Sequence, residues 1–140
     1  MTETGPSELA DVEAIRQVKA RYFRFLDTKD WSAFRSLFTD DAEIEVSADG
    51  AGVVSGADTI VEGIATALDG VVTVHQGTNP EIHVDGDEAT GVWAMADHLE
   101  FPDGTVMRGA GHYEERYRRV DGDWRIAGFR LTRLRRDFSG

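Results

Sequence analysis

The chain has 140 residues, a length that fits one domain. With 41% apolar and 29% charged residues it has soluble globular composition, and no apolar run reaches the roughly 18 residues of a membrane span. The net charge of −11 argues against general nucleic-acid binding, and the absence of cysteine excludes disulfides and thiolate chemistry.

The N-terminal half predicts three helices. Residues 1–7 are expected to be disordered; they lack the basic start and apolar stretch of a signal peptide, which favours a cytoplasmic protein. Apolar positions at helical spacing predict a first helix that ends near residue 27. A second helix is predicted over 31–38, a strand over 42–47 and a loop over 49–52. A third helix begins at Ser55 or Asp58 and ends before Gly70.

The C-terminal half changes to a period of two, which is typical of strands. Turn signals separate the predicted strands, and residues 135–140 are expected to form a tail. Helices followed by strands predict an α+β fold. We expect a cone-shaped α+β barrel, with three N-terminal helices packed on a strongly bent mixed or antiparallel sheet that encloses a pocket. The predicted strands are Val71–Thr78, Glu81–Val84, Glu88–Phe101, Thr105–Val120 and Trp124–Leu134.

Asp27 is an unusual residue for the end of the first helix. The helix dipole presents negative charge there, so an acid is locally unfavourable. Asp30 directly precedes the second helix and is the better N-cap, which leaves Asp27 for another role. The alternative, that Asp27 or Asp30 merely caps the second helix, stays open.

His75 lies on a predicted alternating strand, with Gly77 on the same face, where its small size would leave room for a ligand. Histidine suits proton transfer near neutrality, and a carboxylate on Nδ1 fixes its tautomer. His75 is therefore a candidate general base, and a carboxylate such as that of Asp27 would be its partner. The alternative is a hydrogen-bonded histidine of the core or surface.

Asp97 is predicted to face the interior. Trp93, Met95 and Leu99 share its strand face, which favours Asp97 over His98 as the inward residue.

Two further polar positions leave alternatives open. Glu115 shares a strand face with Tyr113 and Tyr117 and could line a pocket, or it could form a surface ion pair. In the Arg-rich C-terminal end, a guanidinium such as that of Arg130 or Arg133 could turn inward to bind an anionic group, or it could lie on a solvated strand face.

Four stretches resemble the SnoaL-like branch of the nuclear transport factor 2-like superfamily: RYFRFLDTKDW, SLFTDDAEIE, VHQGTNPEIHVDGDEATG and GHYEERYRRVDGDWRI. The resemblance covers about residues 8–134 and implies the cone-shaped fold. It implies less about function, because this fold hosts dehydratases, isomerases, cyclases, dehydrochlorinases, epoxide hydrolases and noncatalytic binders.

The resemblance also implies site residues. Bile-acid dehydratases, scytalone dehydratase and hexachlorocyclohexane dehydrochlorinase use an Asp near the end of helix one with a His at the start of the sheet, and Asp27 and His75 match these positions. Tyr22 is similar to the aromatic hydroxyl of some dehydratases, and Asp97 to a further acid of the bile-acid enzymes. The carboxylate of the ketosteroid isomerase branch would fall at Val46, which disfavours that route.

We therefore expect a cofactor-independent lyase of the dehydratase type, acting without metal on a small hydrophobic cyclic or polyketide-like molecule. His75 would remove a proton, Asp27 would orient His75, Tyr22 would donate a hydrogen bond or protonate the leaving oxygen, and Asp97 would support the leaving group. The predicted substrate-binding residues, which would equally make a good core, are Phe23, Trp31, Phe34, Trp93, Met95, Glu115, Phe129 and Arg130.

Two alternatives stay open: a polyketide cyclase or isomerase that uses the same pocket, and a noncatalytic small-molecule-binding domain. The resemblance also implies a homo-oligomer, either a dimer or a trimer. No nucleic-acid or membrane partner is expected.

Overall fold

The computed structural model describes residues 6–46 and 52–140. The helices are α1 (Pro6–Thr28), α2 (Trp31–Arg35) and α3 (Ala57–Ala67). Within the described ranges, no helix combines the length and the apolar character needed to cross a membrane. The strands are β1 (Phe38–Val46), β2 (Val53–Ser55), β3 (Val72–Asp85), β4 (Glu88–Glu100), β5 (Val106–Val120) and β6 (Asp123–Ser139).

The strands form one six-stranded sheet in the order β2-β1-β6-β5-β4-β3. Strands β3 to β6 are successive antiparallel neighbours, β1 runs parallel to β6, and β2 closes the far edge antiparallel to β1. The sheet is curled but unclosed, with β2 and β3 at its edges. This arrangement confirms the predicted α+β class and the mixed, bent sheet.

Helix α1 packs its apolar face on the inner side of the sheet. Ile15, Val18, Tyr22 and Leu26 recur every three or four residues and are at most 5% exposed. Burying each large apolar side chain contributes about 1.5–3 kcal/mol, so this face anchors the helix to the sheet. The predicted helical periodicity of the first element is therefore confirmed, and it directs the end of α1 towards the start of β3.

The boundaries around α2 differ from the sequence prediction. The predicted N-cap is confirmed, since the Asp30 carboxylate accepts a hydrogen bond from the Ala33 N–H at 3.2 Å. However, α2 ends at Arg35, and β1 begins at Phe38 because this residue pairs with Ile126 of β6. The strand β2 was missed, and the predicted loop over 49–52 lies largely outside the described residues, as does the predicted disorder of residues 1–5.

Two strands run further than predicted. Strand β3 continues past Pro80, with a register irregularity between Thr78 and Glu81 where Asn79 adopts a positive φ of 52°. Strand β6 continues to Ser139, because it stays paired with β5. Strand β6 therefore covers residues 135–139 of the predicted tail, and α1 includes residues 6 and 7, for which disorder was predicted.

Candidate active site

Asp27, in the last turn of α1, meets His75 at the start of β3. Its Oδ1 lies 2.7 Å from His75 Nδ1 and accepts a hydrogen bond from the Thr73 hydroxyl at 2.9 Å. Its Oδ2 accepts the backbone N–H of His75 at 2.8 Å. These three donors compensate the unfavourable placement of a carboxylate at a helix C-terminus. Because the Asp27 carboxylate accepts a hydrogen bond from His75 Nδ1, the neutral imidazole carries its proton on Nδ1. Its Nε2 is then the nitrogen that can act as a base.

The second ring nitrogen of His75 faces Asp97. Nε2 lies 4.0 Å from Asp97 Oδ2, which is too far for a hydrogen bond. The Phe23 ring stacks on the imidazole, with centroids 6.2 Å apart and planes 13° apart. The His75 side chain is 9% exposed, so little of the imidazole is open to solvent.

Asp97 is held by Arg133 in a bidentate ion pair. Both nitrogen–oxygen distances are 2.9 Å, and the Asp97 side chain is 1% exposed. The pair crosses the inner face of β5 at Gly109, where an added Cβ would collide with both Arg133 Nη1 and Asp97 Oδ1. As predicted, Asp97 and not His98 points inward.

Arg130 does not enter the site. Its side chain is 55% exposed and lies on the outer sheet face, 3.9 Å from Glu45. Alternation along β6 turns Phe129 and Leu131 inward, and Arg133 follows them on that face. Arg133 is therefore the arginine that reaches the interior beside Asp97, and the contact of Arg130 with a substrate stays a prediction.

Tyr22 is almost fully buried on the inner face of α1. Its hydroxyl and that of Tyr113 are hydrogen-bonding partners, and the two rings meet edge to face at 5.8 Å. Burial raises the pKa of Tyr22 well above its ordinary value, with smaller contributions from Tyr113 and nearby carboxylates. Tyr22 is therefore a neutral hydrogen-bond donor, and its predicted role towards a substrate stays a prediction.

A buried ion pair lies behind the tyrosines. Lys19 Nζ is 2.6 Å from Glu115 Oε2, and both side chains are fully buried. Glu115 thus forms a buried ion pair and not a surface one, and its contact with a substrate stays a prediction. Burial lowers the pKa of Lys19 to about 8, while Glu115 opposes that shift. Sequence reasoning missed Lys19, although a lysine beside Val18 on the apolar face of α1 was the available signal.

The aromatic residues predicted to line a cavity pack largely on one another. Phe34 is fully buried against Trp31 and Tyr22, so it belongs to the core and not to an open wall, and Trp31 packs at the edge of that cluster. Phe129 contacts Tyr22 and Tyr113 from β6. These side chains fill space between α1 and the sheet, as the core alternative requires.

Phe23, Trp93 and Met95 lie nearer to His75. A Cβ at Gly77 would collide with the Phe23 ring and touch Trp93, so the space beside Gly77 is filled and was wrongly expected to admit a ligand. Trp93 Nε1 donates to the Tyr117 hydroxyl at 2.9 Å, and Met95 is buried opposite Gly77. Their contact with a substrate stays a prediction.

Two other histidines, His83 and His98, lie outside this site. His83 is exposed, and His98 Nε2 lies 3.1 Å from Glu100. In the part of the chain that the structure describes, no three His, Asp or Glu side chains are grouped to hold a metal ion.

These observations define a class: an α+β domain whose curled sheet wraps a long helix, with a carboxylate–histidine pair where that helix ends. The model of the SnoaL-like domain family matches residues 7–130. The chain therefore belongs to the SnoaL-like family.

Individual proteins are similar to this chain in sequence or in fold. A protein of Gibberella zeae named "Probable cyclase FGR4" is 28% identical over 134 residues, covering 86% of this chain and 89% of that one. The structure of a variant of Rv3472 from Mycobacterium tuberculosis, a protein of unknown function, is 30% identical with a TM-score of 0.82, covering 96% of this chain and 79% of that one. Hexachlorocyclohexane dehydrochlorinase LinA-type3 from Novosphingobium barchaimii is 20% identical with a TM-score of 0.83, covering 94% and 92%.

Proposed function

We propose that this protein is a cofactor-independent lyase that eliminates water from a small hydrophobic cyclic or polyketide-like molecule. The observation that carries the proposal is the geometry at His75. Asp27 contacts Nδ1 at 2.7 Å, while Nε2 makes no hydrogen bond to the nearest acid, Asp97, at 4.0 Å. A histidine oriented in this way is a general base, and such groups contribute about 10²–10⁴-fold in rate.

The proposed reaction begins at a carbon next to a carbonyl. His75 Nε2 takes the proton from that carbon, and the electron pair of the C–H bond forms the new C=C bond. The hydroxyl on the neighbouring carbon departs with a proton as water, which returns His75 to its neutral form when the imidazolium supplies that proton. Asp27 stabilises the imidazolium between these two steps.

The side chains around His75 would stabilise the charge that develops on the substrate and hold the substrate in position. Tyr22, kept neutral by burial, would donate to the substrate carbonyl or to the leaving oxygen. Asp97, fixed by Arg133, is the acid nearest to Nε2 and would orient the departing hydroxyl. Phe23 beside His75 favours an apolar ring as the body of the substrate.

A cyclase is the second candidate, favoured by the fungal relative that carries this name. The same base would remove the proton, but the resulting carbanion would attack a carbonyl of the same molecule. A ring then forms without loss of water. The products therefore separate the two candidates by mass, since elimination lowers the substrate mass by one water.

The test is a screen of one-ring and two-ring cyclic β-hydroxy ketones, followed by mass spectrometry and by ultraviolet absorbance of the enone product. We expect the wild type to convert at least one compound and His75→Ala to lose about 10²-fold or more. His98→Ala is the matched control, because His98 lies on the other strand face. An active, folded His75→Ala protein would overturn the proposal, and binding without turnover by the wild type would favour a noncatalytic domain.

A further inference from the structure

The ion pair between Lys19 and Glu115 joins α1 to β5 inside the core. The residues are 96 positions apart, their charged atoms lie 2.6 Å apart, and both side chains are fully buried. Neither belongs to the Asp27–His75 pair or to the Asp97–Arg133 pair. The pair is therefore a third charged group of the interior, to which the proposed elimination assigns no role.

The ammonium of Lys19 lies between the two tyrosines of the site. Nζ is 3.8 Å from the Tyr22 ring centroid and 3.5 Å from that of Tyr113, with the Phe23 centroid at 4.6 Å. A cation over an aromatic face is attracted by the ring quadrupole, most strongly where water is excluded. Lys19 thus contacts both rings whose hydroxyls are hydrogen-bonded to each other.

Glu115 is fixed at both of its oxygens. Oε2 binds Lys19, and Oε1 accepts the Tyr117 hydroxyl at 2.5 Å. The Tyr117 oxygen in turn accepts Trp93 Nε1 at 2.9 Å. This chain of contacts holds the carboxylate still, and through it the ammonium. All three tyrosines of the sequence belong to this one network.

Stability does not account for the pair. Removing two charges from water costs several kcal/mol per ion, and replacing a buried pair with neutral residues of similar volume is often neutral or stabilising. The surrounding core is already rich in aromatic rings that could fill the same space.

Two contacts connect the network around Lys19 and Glu115 with the site of His75: the ring of Phe23, and the electrostatic interaction of Tyr113 with Asp97 and Arg133. Phe23 contacts Lys19 on one side and stacks on His75 on the other. Tyr113 lies close enough to Asp97 and Arg133 for their charges to act on its hydroxyl.

We propose that Lys19 and Glu115 are positioning residues that hold the Tyr22–Tyr113 hydroxyl pair in one orientation towards the site of His75. The proposal rests on the proposed function for its effect on turnover, because Tyr22 is the donor to the substrate oxygen there. One consequence concerns the protein without substrate. While the Lys19–Glu115 ion pair is intact, the Tyr22 ring and the Tyr113 ring each have one orientation.

The test uses the double variant Lys19→Met/Glu115→Gln. Methionine keeps the length of the lysine stem, and the glutamine amide keeps an oxygen for the Tyr117 hydroxyl, so no single charge is left buried. The matched control is Glu13→Gln/Arg16→Gln, an exposed ion pair on the same helix with side chains 61% and 55% exposed. Each protein is prepared with ¹³C at Cζ of tyrosine, the carbon that carries the hydroxyl and is unaffected by ring flips.

We expect three narrow signals from the wild type and the control, assigned by Tyr→Phe substitution. In the double variant, the signals of Tyr22 and Tyr113 should double or broaden severalfold, although the melting temperature stays close to that of the wild type. On the fastest cyclic β-hydroxy ketone, kcat should fall about tenfold or more with KM unchanged, because the donor acts mainly in the transition state.

Narrow single signals in the double variant, or broadened signals with wild-type kcat, would overturn the proposal. A double variant that does not fold to wild-type stability would also overturn it, since the pair would then be needed for the fold itself. If the wild type converts no compound, that failure belongs to the proposed function, and the tyrosine signals alone decide whether the pair positions the rings.

Discussion

At the scale of single residues, the site depends on carboxylates that are fixed by several donors. Asp27 receives hydrogen bonds from the Thr73 hydroxyl and the His75 backbone and contacts the His75 ring, so its position is set from both oxygens. Asp97 is fixed in the same way by the two nitrogens of Arg133. Charged groups held in this way cannot reorient freely, and the fixed Asp27 carboxylate orients the imidazole through Nδ1.

The substitution Asp27→Asn tests the orientation of His75. The asparagine amide has one acceptor oxygen where the carboxylate has two, so it cannot accept hydrogen bonds from all three donors. It also carries no negative charge that would stabilise an imidazolium. We expect kcat on the best compound of the screen to fall about 10²–10⁴-fold while the circular dichroism spectrum keeps its folded form. The control is Asp30→Asn, which retains an N-cap for α2 and should keep turnover near wild type. An Asp27→Asn protein as active as this control would contradict the role of Asp27.

The substitution Lys19→Met tests the cost of leaving a charge buried. Without Lys19, the Glu115 carboxylate keeps only the Tyr117 hydroxyl as a partner. We expect the free energy of unfolding to fall by about 3–5 kcal/mol, measured by urea denaturation. Arg16→Met on the exposed face of α1 should change it by no more than about 0.5 kcal/mol. A loss below about 1 kcal/mol for Lys19→Met would show that the carboxylate finds other partners.

At the scale of secondary-structure elements, the inner face of β5 changes along the strand from glycines to large side chains. Gly109 leaves room for Arg133 and Asp97 to meet across the strand, a Cβ at Gly111 would collide with the Thr132 backbone of β6, and Tyr113 fills the next inward position. The strand therefore separates an ion-pair region from an aromatic region through the size of its inward residues.

A Gly→Ala substitution should lower the free energy of unfolding in β5 and raise it in α3. Gly109→Ala places a methyl group where Arg133 and Asp97 meet, so the ion pair must separate, and we expect a loss of about 1–3 kcal/mol. Gly63→Ala in α3 meets no atom within 4 Å and removes a glycine from a helix interior, so a gain of about 0.5–1 kcal/mol is expected. Thermal unfolding of both variants measures this, and a stabilising Gly109→Ala would contradict the close approach at β5.

At the scale of the whole molecule, buried ionisable groups make the free energy of unfolding vary with pH in the alkaline range. Lys19 has a folded pKa of about 8, lowered by burial from 10.5. Between these values the unfolded chain binds a proton that the folded chain lacks, so stability rises with pH. The tyrosines act in the opposite direction, because burial raises the pKa of Tyr22, Tyr113 and Tyr117 above 10 in the folded state.

We therefore expect the free energy of unfolding to rise from pH 8 to about pH 10, by at most about 1.4 kcal/mol per pH unit for one proton, and to fall above pH 10. Urea denaturation at half-unit pH intervals measures this curve. The rise should be absent in Lys19→Met, whereas the fall should remain because the tyrosines are unchanged. A rise that persists in Lys19→Met would assign it to another group.

Much of the fold could be read from local sequence. The helical period of α1, the Asp30 cap and the alternating strands are encoded within a few neighbouring residues, and Asp97 could be assigned inward from its strand neighbours alone. The Asp27 and His75 positions were predicted through the family motifs. The predicted homo-oligomer stays a prediction.

Other features depend on how distant segments meet. The parallel pairing of β1 with β6 extends β1 back to Phe38, and alternation along β6 selects Arg133 over Arg130. The Lys19–Glu115 pair joins positions 96 residues apart. Periodicity tells which face of an element is buried, because it reflects the geometry of that element alone. The partner of a buried charge is set by register and by the crossing of helix and sheet, and no local pattern encodes these.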